Sequence, residues 1–144
     1  VRADWLASQG RPFVTSLEAA LTKAQLATKS PEMYPDAWQT LAESHLRLAR
    51  ALAQQPKLRD QHVAAGLSAA AKVFAINPNH ALGLFTQGAL LLLRAQTERD
   101  LNVRRTVAQS AAQALQRAIQ SDPFLTHDAA PLLERARASY TPSN

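Results

Sequence analysis

No cysteine occurs among the 144 residues of this chain. Disulfide bonds and thiolate metal sites are therefore excluded, and because the fold needs no oxidising compartment we expect a cytoplasmic protein. Long apolar runs are also missing, since the longest stretch free of charged residues and histidine, residues 81–93, is shorter than the roughly 20 residues that cross a bilayer. We expect no membrane span. The chain begins at Val1 without a basic-then-apolar leader, so we expect no signal peptide and a longer parent protein.

Basic residues outnumber acidic ones, giving a net charge of +5, but no run of five or more of them occurs. The tightest basic group, Arg99, Arg104 and Arg105, sits beside Glu98 and Asp100. The few aromatic residues are not interleaved with a basic cluster, as a platform for stacking bases requires. The sequence therefore predicts no nucleic-acid binding, and a nucleic-acid adaptor is the least favoured of the function classes considered below.

Proline marks the ends of long helical blocks, and strand-like segments are absent. Strong stops occur at Ser30-Pro31, Asn77-Pro78-Asn79 and Ser121-Asp122-Pro123, and weaker breaks at 10–12, 55–57 and 97–100. The blocks between these breaks are rich in alanine, leucine, glutamine and arginine, which favour helix. This punctuation predicts helices joined in hairpins by short connections.

The apolar residues of these blocks repeat with the period of a helix and then repeat between blocks. Spacings of three and four place Trp38, Leu41, Ala42, His45, Ala49 and Leu52 on one face of a helix over about 36–53. A shift of 45 residues lays Gly66 on Ala111 and Pro78 on Pro123, and a shift of 46 lays Trp38 on Leu84. Small residues such as Gly66 recur where two helices would cross closely.

An internal repeat of this length predicts an all-α solenoid, in which each hairpin covers the apolar face of the next. We expect a single domain over 1–144. It should hold about three helix pairs, over about 1–30, 36–77 and 80–121, and a final capping helix over about 127–139.

Two sequence patterns in this chain resemble the tetratricopeptide repeat. They are Trp38-x-x-Leu41-Ala42-x-x-His45, followed by Gly66 and Asn77-Pro78, and the restart at Pro78-Asn79-His80-Ala81 into Leu84-x-x-Gln87-Gly88-x-x-Leu91. The resemblance implies a tetratricopeptide-like solenoid. The period of about 45 exceeds the usual 34 residues and is closer to HEAT repeats, which remain the structural alternative, although they lack the terminal proline.

A narrower resemblance covers residues 16–138. The strings Gly66-Leu67-x-Ala69-Ala70 leading to Asn77-Pro78, Gly88-Ala89-Leu90-Leu91-Leu92-Leu93-Arg94-Ala95, Asp122-Pro123-Phe124-Leu125 and Pro131-Leu132-Leu133-Glu134-x-Ala136 are similar to the C-terminal repeats of bacterial eukaryote-like serine/threonine kinases. The resemblance implies a kinase domain upstream of Val1. The chain itself holds no glycine-rich phosphate loop and no catalytic Asp in kinase context, so we expect no enzyme and no cofactor.

Residue types that form metal or catalytic sites in enzymes occur in this sequence, but packing or solvation explains each of them. The four histidines are at least 17 residues apart, too far to share a helical turn, so we expect no metal site and interpret His45 as a packing residue. Glu98 and Asp100 lie beside arginines in a predicted loop, where solvated charges are the simpler interpretation. Ser44 and His45 are adjacent and point to different helix faces, which excludes a catalytic pair.

The helix over about 81–96 is apolar on two sides. Its buried stripe accounts for one side, while the resemblance places Phe85, Ala89 and Leu92 on the concave surface, beside a polar stretch formed by Gln39, Glu43 and Arg47. These six residues are the candidate peptide-binding groove. The final helix or a partner's apolar segment would cover the apolar part. We expect a protein-interaction or regulatory module whose partner is a peptide, a protein or a segment of its own longer chain; the alternative is a spacer that binds nothing.

Overall fold

The computed structural model describes residues 2–29 and 34–141, with side chains from Phe13 onward. Its α-helices are α1 (Arg2–Ala27), α2 (Pro35–Ala51), α3 (Pro56–Ile76), α4 (Ala81–Thr97), α5 (Leu101–Ser121) and α6 (Thr126–Ala138), with a 3₁₀ turn at Pro123–Leu125. No strand occurs in the described ranges, so the predicted all-α class is confirmed. None of the described helices is long and apolar enough to span a membrane.

The helices form a stack of hairpins. Helices α2 and α3 pack along each other, as do α4 and α5, and connections of three or four residues make both pairs antiparallel. The two hairpins meet through α3 against α4 and through α2 against α4. At the ends of the stack, α1 packs on α2 and α6 packs on α5 and α4. Alternate helices α2, α4 and α6 therefore lie side by side on one face.

The internal repeat is visible in the helix lengths. Helices α2 and α4 each contain 17 residues and lie 46 positions apart, and α3 and α5 each contain 21 residues and lie 45 positions apart. These are the two offsets that the sequence comparison predicts. A connection of similar length joins the helices in both hairpins, so the repeat is one of whole supersecondary units.

The first predicted helix pair, over 1–30, is wrong. Helix α1 continues from Arg2 to Ala27 through the predicted break at 10–12, so this segment supplies one helix and the described residues hold two hairpins instead of three. A proline inside a helix removes one backbone hydrogen bond and clashes with the preceding turn, which kinks a helix without always ending it, and α1 continues through Pro12. The predicted stop at Ser30-Pro31 lies outside the described residues.

Small residues at the helix crossings let the backbones approach closely. A Cβ built on Gly88 of α4 would lie 2.6 Å from Leu115 Cγ on α5, and one built on Gly66 of α3 would lie 2.8 Å from Leu90 Cδ1 on α4. Ala42 and Ala111 are fully buried at the equivalent crossings. These small residues therefore do what the sequence predicts: they let two helices cross closely.

Candidate functional site

A concave cavity of about 280 Å³ lies between α2, α4 and the start of α6. Four of the six predicted groove residues line it, namely Gln39, Glu43, Arg47 and Phe85. Six further residues line it that the sequence did not single out: Leu46, Arg50, Leu82, Thr86, Leu125 and Asp128. We call this cavity with its ten lining residues the α2–α4–α6 groove.

Helical spacing explains which side chains reach the groove. On α2, steps of three and four residues from Gln39 to Arg50 keep one face toward the cavity. On α4, Leu82 and Thr86 are one turn apart and Phe85 lies between them. The sequence pattern contains these two stripes. It contains no signal for Leu125 and Asp128, because their contribution depends on where α6 folds back.

Ala89 and Leu92 do not line the groove, contrary to the sequence prediction. Both are buried, at 2% and 3% exposure. Ala89 belongs to a core cluster with Leu46 and Val63, while Leu92 packs with Leu133 of α6. Of the two covers left open by the sequence, the final helix is the one observed. It hides Leu92 because leaving a leucine in water forfeits about 1.5–3 kcal/mol.

The floor of the groove contains a buried amide with an unused acceptor. Gln39 is 6% exposed, and its Nε2 donates hydrogen bonds to Thr86 Oγ1 at 2.9 Å and to the Leu82 carbonyl oxygen at 3.3 Å. Its Oε1 is buried without a hydrogen-bond partner among the described residues. A buried acceptor left unpaired costs about 1–3 kcal/mol. Because Oε1 itself is buried, this unpaired acceptor is a cost to the fold and is not exposed to the cavity.

Charge is distributed unevenly along the groove. Arg47 and Glu43 form an ion pair at 2.7 Å on the exposed side of α2 and largely neutralise each other. One turn further, burial of the guanidinium and then the charge of Arg135 on α6 lower the pKa of Arg50. Within the described residues neither Arg50 nor Arg135 makes an ion pair, and Asp128 lies free at the other end of α6. The groove thus contains one arginine, Arg50, without a described ion-pair partner, while its four charged lining residues, Glu43, Arg47, Arg50 and Asp128, sum to zero net charge.

The structure brings two histidines together that the sequence spacing kept apart. The Nδ1 atoms of His45 and His62 are 3.0 Å apart across the α2–α3 hairpin. His80 has another role, since its Nδ1 accepts a hydrogen bond from the Gly83 amide and caps α4. Among the described residues no group of three or more histidine or acidic side chains could hold a metal ion.

The acidic residues of the α4–α5 connection stabilise the helix that follows. Asp100 Oδ1 accepts hydrogen bonds from the amides of Asn102 and Val103, and so caps α5. Glu98 accepts from the Asp100 amide through its side chain, and its carbonyl oxygen accepts from Arg104. These partners account for both carboxylates as local structural groups.

Two other cavities lie outside the groove. One of about 350 Å³ opens between α3 and the end of α4 and is lined by residues that include Asp60, Leu67 and Arg94. The other, of about 270 Å³, lies between α1 and α2, and Glu43 and Arg47 line both this cavity and the groove. Neither of these two cavities is lined by Gln39, Phe85 or the residues of α6, whereas the groove is lined by four of the six residues that the sequence predicts. The α2–α4–α6 groove is therefore the candidate site.

No protein-family model matches the chain, and no curated protein is similar to it in sequence. The two resemblances drawn from its motifs accordingly stay predictions.

Proposed function

We propose that this chain is a non-catalytic interaction module that holds a peptide segment in the α2–α4–α6 groove. The observation that carries the proposal is the concave cavity that α6 leaves open between α2 and α4, lined by polar side chains of α2 and by Leu82 and Phe85 of α4. Apolar side chains of the peptide would lie on Leu82 and Phe85, which are only partly covered.

The architecture proposed for this module is tetratricopeptide-like. The lateral contacts of α2 with α4 and of α4 with α6 support it, because they place the first helix of each unit on a shared face. The residues in excess of a 34-residue unit are accommodated in the helices, since 17- and 21-residue helices are joined by very short connections. A HEAT-like arrangement is the structural alternative.

A binding role is favoured over that of a spacer by what α6 leaves open. A spacer needs no cavity once its last helix is in place, whereas here α6 covers Leu92 and leaves about 280 Å³ beside Gln39 and Phe85. On the resemblance alone, we propose that the module belongs to the C-terminal repeats of a bacterial serine/threonine kinase or a related cytoplasmic signalling protein. Its occupant is then a separate protein or a segment of the same longer chain.

Selection from a random dodecapeptide library displayed on phage tests the proposal. We expect enriched peptides to bind the purified chain, and we expect Phe85→Glu to weaken their binding at least tenfold, because a carboxylate on the groove floor would be desolvated by the peptide. The matched control is Leu58→Glu, a partly exposed leucine of α3 outside the groove. Circular dichroism establishes that both variants keep their helices. Failure to enrich any peptide whose binding depends on Phe85 contradicts the proposed function.

A further inference from the structure

The cavity between α1 and α2, here called the α1–α2 cavity, borders the groove along α2. It measures about 270 Å³ and is lined by Leu17 and Ala20 of α1 and by four residues of α2. Two of those four, Glu43 and Arg47, also line the α2–α4–α6 groove. The larger cavity beside α3 shares no lining residue with the groove. The concave surface of the groove therefore continues across α2 toward α1.

The internal repeat shows which face of α2 borders this cavity. The shift of 46 residues lays its four α2 residues, Thr40, Glu43, Ser44 and Arg47, on Thr86, Ala89, Leu90 and Leu93 of α4. On α4 this face is covered by α2. Thr86 accepts a hydrogen bond from Gln39, and Ala89 and Leu90 are buried in one cluster with Leu46. The α1–α2 cavity is thus the place on α2 that corresponds to a helix contact on α4.

The side chains of α2 at this place are polar where those of α4 are mostly apolar. Glu43 and Arg47 form their ion pair here, and their side chains stay 45% and 62% exposed. A helix packed on this face as α2 packs on α4 would take both charges out of water, which is costly even for an ion pair. The face therefore suits an occupant that leaves these two side chains solvated, such as a single extended segment.

Hydrogen-bond acceptors are available on this face. Thr40 Oγ1 donates to the Asp36 carbonyl oxygen at 2.8 Å, so its hydrogen is used within α2 while its oxygen can still accept. Thr40 is exposed. The carboxylate of Glu43 accepts from Arg47 through Oε1 and has lone pairs to spare. Backbone N–H groups of an extended peptide need acceptors of this kind.

We propose that a peptide bound in the α2–α4–α6 groove extends across α2 and places a polar, uncharged stretch in the α1–α2 cavity. The inference rests on the proposed function and adds a second contact region to it. The stretch is polar because Thr40 and Glu43 accept hydrogen bonds there. It carries no net charge because Glu43 and Arg47 neutralise each other. Asparagine, glutamine and serine side chains, which can donate, suit the cavity in addition to the peptide backbone.

Peptides selected for Phe85-dependent binding test this extension. Ala20→Trp places an indole in the α1–α2 cavity, and we expect it to weaken binding at least tenfold. The matched control is Ala64→Trp, which places the same ring in the larger cavity beside α3 and should leave binding unchanged. Both alanines are exposed, so circular dichroism should show unchanged helicity for both variants. Thr40→Val keeps the shape of the side chain and removes the acceptor, which should weaken binding about fivefold.

Truncation of a selected peptide locates the two contact regions. Removing residues from one end should give a shorter peptide that binds the wild type and Ala20→Trp equally and still requires Phe85. The residues removed should be enriched in asparagine, glutamine or serine.

Each other result has a defined meaning. Phe85-dependent binding that Ala20→Trp leaves unchanged overturns the extension and leaves the proposed function standing. Equal losses in Ala20→Trp and Ala64→Trp also overturn it, because the ring then does not act through the α1–α2 cavity. Enrichment of apolar or charged residues in the part that depends on Ala20 overturns the polar assignment. Absence of any Phe85-dependent peptide overturns both proposals.

Discussion

His45 Nδ1 on α2 and His62 Nδ1 on α3 are 3.0 Å apart, with their ring centroids 5.3 Å from each other. At this distance one Nδ1 carries a hydrogen and donates it while the other accepts. Protonating both rings would place two N–H donors against each other. The pair is therefore stable when at least one ring is neutral, and His45, at 7% exposure, has little water to solvate a charge.

Acid should destabilise the fold through this pair. Burial, and after it the nearby His62, lower the pKa of His45 from 6.5 to about 4. Between these values the unfolded chain binds a proton at this histidine that the folded chain does not. Stability is thus fully present above pH 6.5 and falls as the pH falls toward 4, by about 3 kcal/mol over the whole window.

Urea unfolding at pH 7.5, 6.5, 5.5 and 4.5 measures this loss. Burial also lowers the pKa of His62, while Glu18 on α1 raises it, so the pair and not His45 alone sets the slope. We expect His45→Gln to be less stable at neutral pH and to show a shallower dependence on pH. His127→Gln, at an exposed position, serves as the control and should keep the wild-type slope. Equal slopes for wild type and His45→Gln would contradict the assignment.

Local signals in the sequence were sufficient for most of the helices. Pro78 and Pro123 follow α3 and α5 closely, because proline disfavours helix in the residue before it. The 45-residue self-match laid Gly66 on Ala111, and both lie at close helix contacts, Gly66 against Leu90 and Ala111 against Gly88. The failure at Pro12 shows the limit of this signal, because proline disfavours a helix locally without always ending it.

Contacts between distant segments were beyond the sequence argument. A separation of 17 residues excludes His45 and His62 from one helical turn, yet an antiparallel hairpin brings them together. The contribution of Leu125 and Asp128 to the groove depends on where α6 folds back. The periodicity likewise showed that Leu92 needs a cover and could not distinguish α6 from a partner.

Gly88→Ala should destabilise the protein even though alanine favours helix. The new Cβ would lie 2.6 Å from Leu115 Cγ and 3.2 Å from the Ala111 carbonyl oxygen. Overpacking of this kind costs about 1–3 kcal/mol, more than the roughly 1 kcal/mol that alanine gains over glycine. A urea titration at pH 7.5 measures the difference.

A double-mutant cycle identifies the cause of that loss. Leu115→Ala alone creates a cavity in a fully buried site, but in its presence Gly88→Ala should become neutral or stabilising, because the side chain that the new methyl meets is gone. If the cost of Gly88→Ala is the same with and without Leu115, close approach to this leucine is not its source.

Trp38→Ala should cost about 2–4 kcal/mol in the free energy of unfolding. The indole is partly buried and packs against the cluster of Ala24, Leu41, Ala42, Ala69 and Ala70 at the α1–α2–α3 junction. Lys72 Nζ lies 5.9 Å above its ring and adds a weak cation–π contact. The loss should be at the lower end of large-to-small core changes because the side chain is only partly buried. Tyr34→Ala, at an exposed site, should change stability by less than about 0.5 kcal/mol, and a similarly small change for Trp38→Ala would contradict the packing.

Removal of α6 should expose the end of the stack and cause self-association. Leu133 and Ala136 of α6 cover Leu92 and Leu115, which belong to one buried cluster with Ala111, Ala112 and Ala129. A chain ending at Leu125 would present the α4 and α5 residues of this cluster to water, and contiguous apolar surface of that kind drives proteins together. Light scattering on the intact and shortened chains, with circular dichroism on both, should show a larger mass for the shortened form with the remaining helices retained.

Phe124 provides the control for this experiment, since its side chain is 94% exposed in the intact chain and remains in the shortened one. Phe124→Ser should leave the self-association of the shortened chain unchanged if the uncovered cluster is responsible. Leu92→Ser in the shortened chain should reduce it, because the serine removes apolar area from the centre of the uncovered surface. A shortened chain that stays monomeric and helical would mean that α6 is not needed to cover Leu92 and Leu115. A shortened chain that associates only while Phe124 is present would assign the effect to that exposed ring.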